Sequence, residues 1–119
     1  MMKGILGSLL LAAGMASGAG AQDIGGRYAL VGEDFNGGTY VGSVTITATS
    51  DVTCEIRWLI AGEEAVGICM RQDNAFAASY VMNGNVGMVI YKVLKDGTLE
   101  GTWTVAGSNG VGKETLKPM

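Results

Sequence analysis

From Gly26 onward, turn residues recur about every 10 residues, and no other feature restricts the fold as strongly. Residues 33–38, Ser50-Asp51, Ala61-Gly62, Gln72-Asp73-Asn74, Asn83-Gly84, Asp96-Gly97 and Asn109-Gly110 break the chain into short alternating segments. These predict strands over Gly26 to Val31, Thr39 to Ala48, Val52 to Ile60, Glu64 to Arg71, Ala75 to Met82, Asn85 to Leu94, Thr98 to Ala106 and Val111 to Leu116. No amphipathic helix pattern intervenes, and the single proline, Pro118, falls past the last strand. Loops this short make neighbouring strands antiparallel, so the topology is a meander. An open meander leaves two unpaired edges, and closure removes both. The expectation is an all-β chain folded as one eight-stranded antiparallel up-and-down, calycin-like barrel. A two-sheet β-sandwich is the alternative. A barrel of about this strand number is filled by side chains or holds one small ligand.

The two cysteines fit this scheme. If Ala61-Gly62 is a two-residue loop, Ile60 pairs with Glu63, and Cys54 falls opposite Cys69. Facing residues of an antiparallel pair are spaced as a disulfide requires, at roughly 4.5–5.5 Å between Cα atoms. Two buried free thiols are the alternative. The compartment favours the disulfide. Met1 to Ala21 has a lysine at Lys3, an apolar run from Gly4 to Ala13 and small residues up to Ala19-Gly20-Ala21, the pattern of a secretory signal peptide. The apolar run is too short to cross a bilayer. Residues 1–21 therefore read as a leader and 22–119 as one small secreted or periplasmic domain, with no membrane insertion after cleavage.

Turn lengths also assign faces. On the strand from Thr98, Leu99, Gly101, Trp103 and Val105 share the apolar face, and Glu100, Thr102 and Thr104 the wet one. A two-residue Asp96-Gly97 turn puts Ile90 and Met88 inward opposite Trp103 and Val105. An Asn109-Gly110 turn brings Leu116 opposite Trp103 and Glu114 opposite Val105. Tyr40, Gly42, Val44 and Ile46 point in, as do Cys54, Ile56 and Trp58. Gly26-x-Tyr28, Tyr40-x-Gly42 and Gly101-x-Trp103 place a glycine beside an inward aromatic. The candidate interior is thus Tyr28, Tyr40, Ile46, Trp58, Met88, Trp103 and Glu114. An inward carboxylate needs partners, and Arg71, which shares the face of Cys69, is the expected one. If Gln72-Asp73-Asn74 is a three-residue loop, Val66, Ile68, Met70, Phe76, Tyr80, Val89 and Tyr91 form an apolar patch outside. Such a patch is what a partner surface looks like. A bulge that swaps the faces of one strand would instead make part of it core.

Much chemistry is missing. The chain has no histidine, the residue on which general-base and triad chemistry usually rests. A Cys54–Cys69 bond would remove the thiols as nucleophiles or metal ligands. Glu33-Asp34 and Glu63-Glu64 sit in loops as solvated acids, and the glycines form no phosphate-binding loop. Eight basic and eleven acidic residues give a net charge of −3, and loss of Lys3 with the leader takes it to −4. The remaining basic residues are scattered, which argues against nucleic acid. The expectation is a non-enzymatic binding protein without cofactor or metal.

Gly26-x-Tyr28, Gly38-Thr39-Tyr40-x-Gly42, Cys54-x-x-x-Trp58, Gly67-Ile68-Cys69-Met70, Val89-x-Tyr91, Asp96-Gly97-Thr98-Leu99-x-Gly101-x-Trp103 and Gly112-x-Glu114-x-Leu116 together resemble a family of small secreted bacterial proteins. Many of its members carry the label fibronectin-binding protein. The resemblance spans nearly the whole of residues 22–119 and implies secretion, an all-β fold and adhesion to a host matrix protein. It carries over no binding residues. Three functions follow as expectations: a protein-binding module or homodimer using the outer patch, a carrier of a small apolar ligand in the barrel, or a periplasmic protease or lysozyme inhibitor.

Overall fold

The computed structural model describes residues 24–119. The leader and its cleavage site lie outside them. Eight strands follow one another: β1 Gly26–Glu33, β2 Thr39–Ala48, β3 Thr53–Ile60, β4 Glu63–Gln72, β5 Ala75–Met82, β6 Asn85–Val93, β7 Leu99–Val105 and β8 Gly112–Pro118. Each pairs antiparallel with the next, and β1 pairs with β8 from Tyr28↔Pro118 to Glu33↔Lys113. The sheet is a closed barrel. The predicted meander, its closure and its strands are all present, with bounds shifted by at most two residues; Pro118, expected past the last strand, instead ends β8 opposite Tyr28.

The β3–β4 hairpin has the expected register. Ala61 (φ 53°) and Gly62 (φ 80°) form the tip, and Cys54 pairs with Cys69 at a Cα separation of 5.0 Å in a disulfide. Two glycines let adjacent strands approach closely at this part of the wall. A Cβ on Gly67 would stand 1.7 Å from the Ser79 carbonyl oxygen, and one on Gly42 2.4 Å from that of Leu59. Glycine at such points lets a sheet coil tightly enough to close.

Three turns differ from expectation. At the β4–β5 tip Asp73 takes a positive φ (55°), so the loop is Asp73-Asn74 alone and Gln72 pairs with Ala75. Asp tolerates the left-handed region, which makes the shorter turn available. At β6–β7 the loop is longer than two residues. The Gly97 amide donates to the Leu94 carbonyl, the Leu94 amide to that of Thr98, and Gly97 sits at φ 88°. This is a three-residue loop with glycine in the bulge position. Asp96 Oδ1 accepts from the Thr98 amide at 2.9 Å, and that bond holds its carboxyl below the usual range. At β7–β8 the loop spans 106–111, so Trp103 pairs with Gly112 and Leu99 with Leu116. That slip is even-numbered, and Glu114 and Leu116 keep their inward face.

The first two slips are odd, and a one-residue slip reverses every side chain. The β5–β6 hairpin is therefore turned over relative to expectation. Phe76, Val89 and Tyr91 are buried core, and Tyr80 faces inward, half-buried. Met88 and Ile90, expected inside, are exposed on the wall. Val66, Ile68 and Met70 are outside as expected. The outer apolar patch stands on the expected strands, but its β5 and β6 members are Val81, Val86, Met88 and Ile90. Direct pairing makes it continuous, through Val66↔Val81↔Val86 and Met70↔Ala77↔Ile90.

Candidate functional site

One end of the barrel carries the loops at 34–38, 61–62, 83–84 and 106–111, and the other the loops at 49–52, 73–74 and 94–98. Side chains fill the second end. Leu30, Val44, Leu99 and Leu116 are fully buried, and Phe76 stacks on Tyr91 at a ring separation of 5.6 Å. Tyr28 and Ile46 belong to this core, and the Tyr28 hydroxyl donates to the Ile24 carbonyl. At the first end, the mouth, a cavity of about 410 Å³ opens between the strands. That lies within the usual range of small-ligand sites.

Four rings wall the cavity: Tyr40, Trp58, Tyr80 and Trp103. Cross-strand pairing places most of them. Gly32 pairs with Tyr40, Gly87 with Tyr80 and Gly112 with Trp103, and each ring lies over the glycine it faces. Tyr91, deeper in, lies over Gly101 in the same way. The interior therefore gains four large rings without crowding, because the facing position in each pair has no side chain. Trp58 pairs with Ala65, the next smallest residue. Trp58 and Tyr80 pack tilted at 5.1 Å, and Tyr40 meets Trp103 edge-on at 6.3 Å. Phe35, from the loop at 34–38, covers Trp103 from the mouth side at 4.8 Å. Asp34 fixes that loop by accepting the Asn36 and Gly38 amides on Oδ1.

Glu114 forms the polar base. It projects inward from β8 and is buried. Its Oε1 accepts from the Tyr40 hydroxyl at 2.9 Å. Its Oε2 accepts from the Trp58 indole at 3.1 Å and from the Tyr91 hydroxyl. These donors replace Arg71 as the expected partner. The β4 register carries Arg71 past the disulfide to the filled end, where its Nε donates to the Asp73 carbonyl. Burial pushes the Tyr40 and Tyr91 phenols well above the ordinary tyrosine range, and the adjacent Glu114 charge and hydrogen bond add to it. Tyr80 is pushed up to about 12, again by burial and then by the Glu114 charge. The Trp103 Nε1 is buried and has no hydrogen-bond partner among the described residues, although it lies near enough to Tyr40 to oppose part of that residue's shift.

The structure thus brings together Tyr40, Trp58, Trp103 and Glu114 from the predicted interior and adds Tyr80 from the predicted outer patch. Tyr28 and Ile46 lie away from the cavity, and Met88 is on the outer wall. Ile60, Met82, Val89 and Val105 supply the aliphatic lining, and Asn83 and Asn85 the rim. Sequence reasoning missed Phe35 and the cross-strand glycines Gly32, Gly87 and Gly112, and it set Gly101 beside Trp103 rather than beneath Tyr91. The glycines become visible only once the strand registers are known.

No family model matches the chain, and no curated protein matches it. Solved structures do. A de novo designed fluorescence-activating β-barrel superposes with a TM-score of 0.65 at 15% identity, covering 88% of this chain and all of that one. The redesigned barrel mFAP1, bound to DFHBI, gives 0.68 at 15%, covering 83% and 98%. A further redesigned β-barrel gives 0.71 at 12%, covering 88% and 97%. At these identities the likeness is one of fold, and the fold is a closed eight-stranded antiparallel β-barrel.

Proposed function

We propose that this protein is a binding protein that holds a small, partly aromatic ligand in the mouth of its barrel. One observation carries the reading: the interior is filled at one end and open at the other, where four rings surround a cavity that ends on hydrogen-bonded Glu114. Apolar walls with a few fixed polar groups are the usual make-up of a ligand pocket. The unpartnered Trp103 N–H supports it, because a ligand acceptor would satisfy a buried donor that otherwise costs about 1–3 kcal/mol. Similar designed barrels include one bound to DFHBI, which is consistent with ligand binding in such a scaffold. The disulfide supports an oxidising compartment, secreted or periplasmic. Both tryptophans line the cavity, so fluorescence titration against a panel of small aromatics and lipids tests the reading. Saturable shifts are expected with at least one class, and Val105→Trp, which fills the mouth, removes them. No saturable change with any compound would mean that the cavity is only a gap in the packing.

A second reading rests on the outer wall. Val66, Ile68, Met70, Val81, Val86, Met88 and Ile90 expose a continuous apolar strip across β4–β6, whereas β8 presents Lys113, Thr115 and Lys117. Exposed apolar surface beyond a few hundred Å² marks an interaction site. A second copy of the chain is the simplest occupant, since a two-fold axis through the strip covers it with itself. Sedimentation over a range of concentrations should show a dimer, and Ile68→Lys with Met88→Lys should return the monomer. A wild-type chain that stays monomeric throughout removes the homodimer and leaves the strip to a different partner, such as the matrix protein that the family resemblance implies.

A further inference from the structure

The cavity is charged with one sign. Among the described residues its lining holds two carboxylates, Asp34 and Glu114, and no lysine or arginine, and the chain has no histidine. Asp34 is partly engaged by the two loop amides that it accepts. Glu114 differs. Its hydrogen-bond donors are two phenols and an indole, all neutral groups. They solvate the carboxylate and leave its charge uncompensated. In a low-dielectric cavity that charge acts over a longer range than it would in water, and the walls focus it toward the opening. Burial raises the Tyr40, Tyr80 and Tyr91 phenols first, and their nearness to Glu114 raises each further.

The rings suit one class of ligand. Trp and Tyr faces attract cations through their quadrupoles, and clusters of such rings are a known device for ammonium groups. Here two tryptophans and two tyrosines surround the space above a carboxylate, with Trp58 and Tyr80 only 5.1 Å apart. We propose that the barrel mouth binds organic cations, with a quaternary or substituted ammonium group lodged among Tyr40, Trp58, Tyr80 and Trp103 and facing Glu114. This rests on the reading of the mouth as a ligand site and names the ligand class. An anionic ligand would enter the cavity against the charge of Glu114, with Asp34 at its side. A neutral one would forgo both attractions. The chain's net charge of −3 also favours the approach of cations.

The test uses three probes: phenyltrimethylammonium, its uncharged shape match tert-butylbenzene, and benzenesulfonate. Binding is followed by tryptophan fluorescence and by NMR shifts of the indole N–H groups. The expected result is saturable binding of the cation, at least tenfold tighter than the uncharged match, with no binding of the sulfonate. Glu114→Gln should narrow the gap between the cation and its uncharged match several-fold, the rings supplying what remains. If that variant does not fold, Tyr80→Leu serves instead, and should weaken the cation several-fold more than it weakens the uncharged match. Equal or tighter binding of tert-butylbenzene overturns the cation assignment and leaves the cavity standing as a neutral ligand site. Failure of all three probes overturns the assignment, and the wider panel described above then decides whether the mouth binds anything.

Discussion

Trp103 lies flat over the backbone of Gly112, its partner across the β7–β8 pair, and a Cβ at that glycine would stand 2.2 Å from the indole Cε2. The same contact recurs at Tyr40 over Gly32 and Tyr80 over Gly87. The ring cluster at the mouth therefore depends on backbone positions that carry no side chain. Gly112→Ala should displace the indole from its seat between β8 and Phe35. Overpacking of this kind costs about 1–3 kcal/mol, and at roughly 4–8 °C per kcal/mol for a domain of this size the loss is visible by calorimetry. Tryptophan emission should move to longer wavelength as Trp103 meets water. An unchanged melting curve and emission maximum would show that the ring does not rest there.

The inverted β5–β6 hairpin makes a sharper prediction. Phe76 is fully buried against Tyr91, while Met88 stands exposed on the wall. Phe76→Ala should cost about 3–5 kcal/mol. Met88→Ala should change stability by no more than about 0.5 kcal/mol. A one-residue slip at both connections would exchange the two results, so denaturant unfolding of this pair alone decides the register.

How that inversion escaped the sequence is instructive. The Asn83-Gly84 tip is legible, and the pairing inside the hairpin follows from it, as Met82↔Asn85 confirms. The two outer connections are less so. Gln72-Asp73-Asn74 can close as two residues or three, because Asp73 accepts a positive φ that few side chains tolerate. Asp96-Gly97 reads equally well as a two-residue turn or as the end of a bulged three-residue loop. Each choice shifts the faces by one, and the two errors agree with each other, so alternation within the hairpin gives no warning. Val89 and Ile90, or Ala77 and Ala78, are apolar on both faces. By contrast, β7 and, apart from the outward Val41 and Leu59, β2 and β3 alternate between apolar and polar residues, and Tyr40, Trp58 and Trp103 point where that alternation requires. Glu114 is legible as an inward acid, but its partners come from strands that meet only through closure of the barrel.

The disulfide closes a loop of 15 residues in the hairpin that also carries Trp58. In the chain-entropy account a loop of that length contributes about 3 kcal/mol, and strain in the folded state can reduce this. Replacing both cysteines by alanine should lower stability by about 2–3 kcal/mol while preserving the far-ultraviolet spectrum of the barrel. Intact mass before and after alkylation, without reductant, should show no free thiol in the folded protein. Alkylation at both sites would mean that the bond does not form.

Alkaline titration tests the electrostatics of the mouth. In the folded barrel Tyr80 is pushed up to about 12, from an ordinary value near 10. Tyr40 and Tyr91 move in the same direction. Below the unfolded value the phenol is protonated in both states, and its contribution to stability is whole. As pH rises from about 10 to about 12 the unfolded chain releases the proton more readily, so stability falls and the contribution is lost by the folded value. Phenolate absorbance should therefore lag behind that of the denatured chain, and the melting temperature should drop across this window. In Glu114→Gln the carboxylate no longer opposes ionisation, and the midpoint for Tyr80 should shift downward. It should stay above 10, since burial is the larger cause and survives the change. A midpoint that does not move would mean that the Glu114 charge does not reach Tyr80. The field invoked for cation binding would then be absent from that side of the cavity.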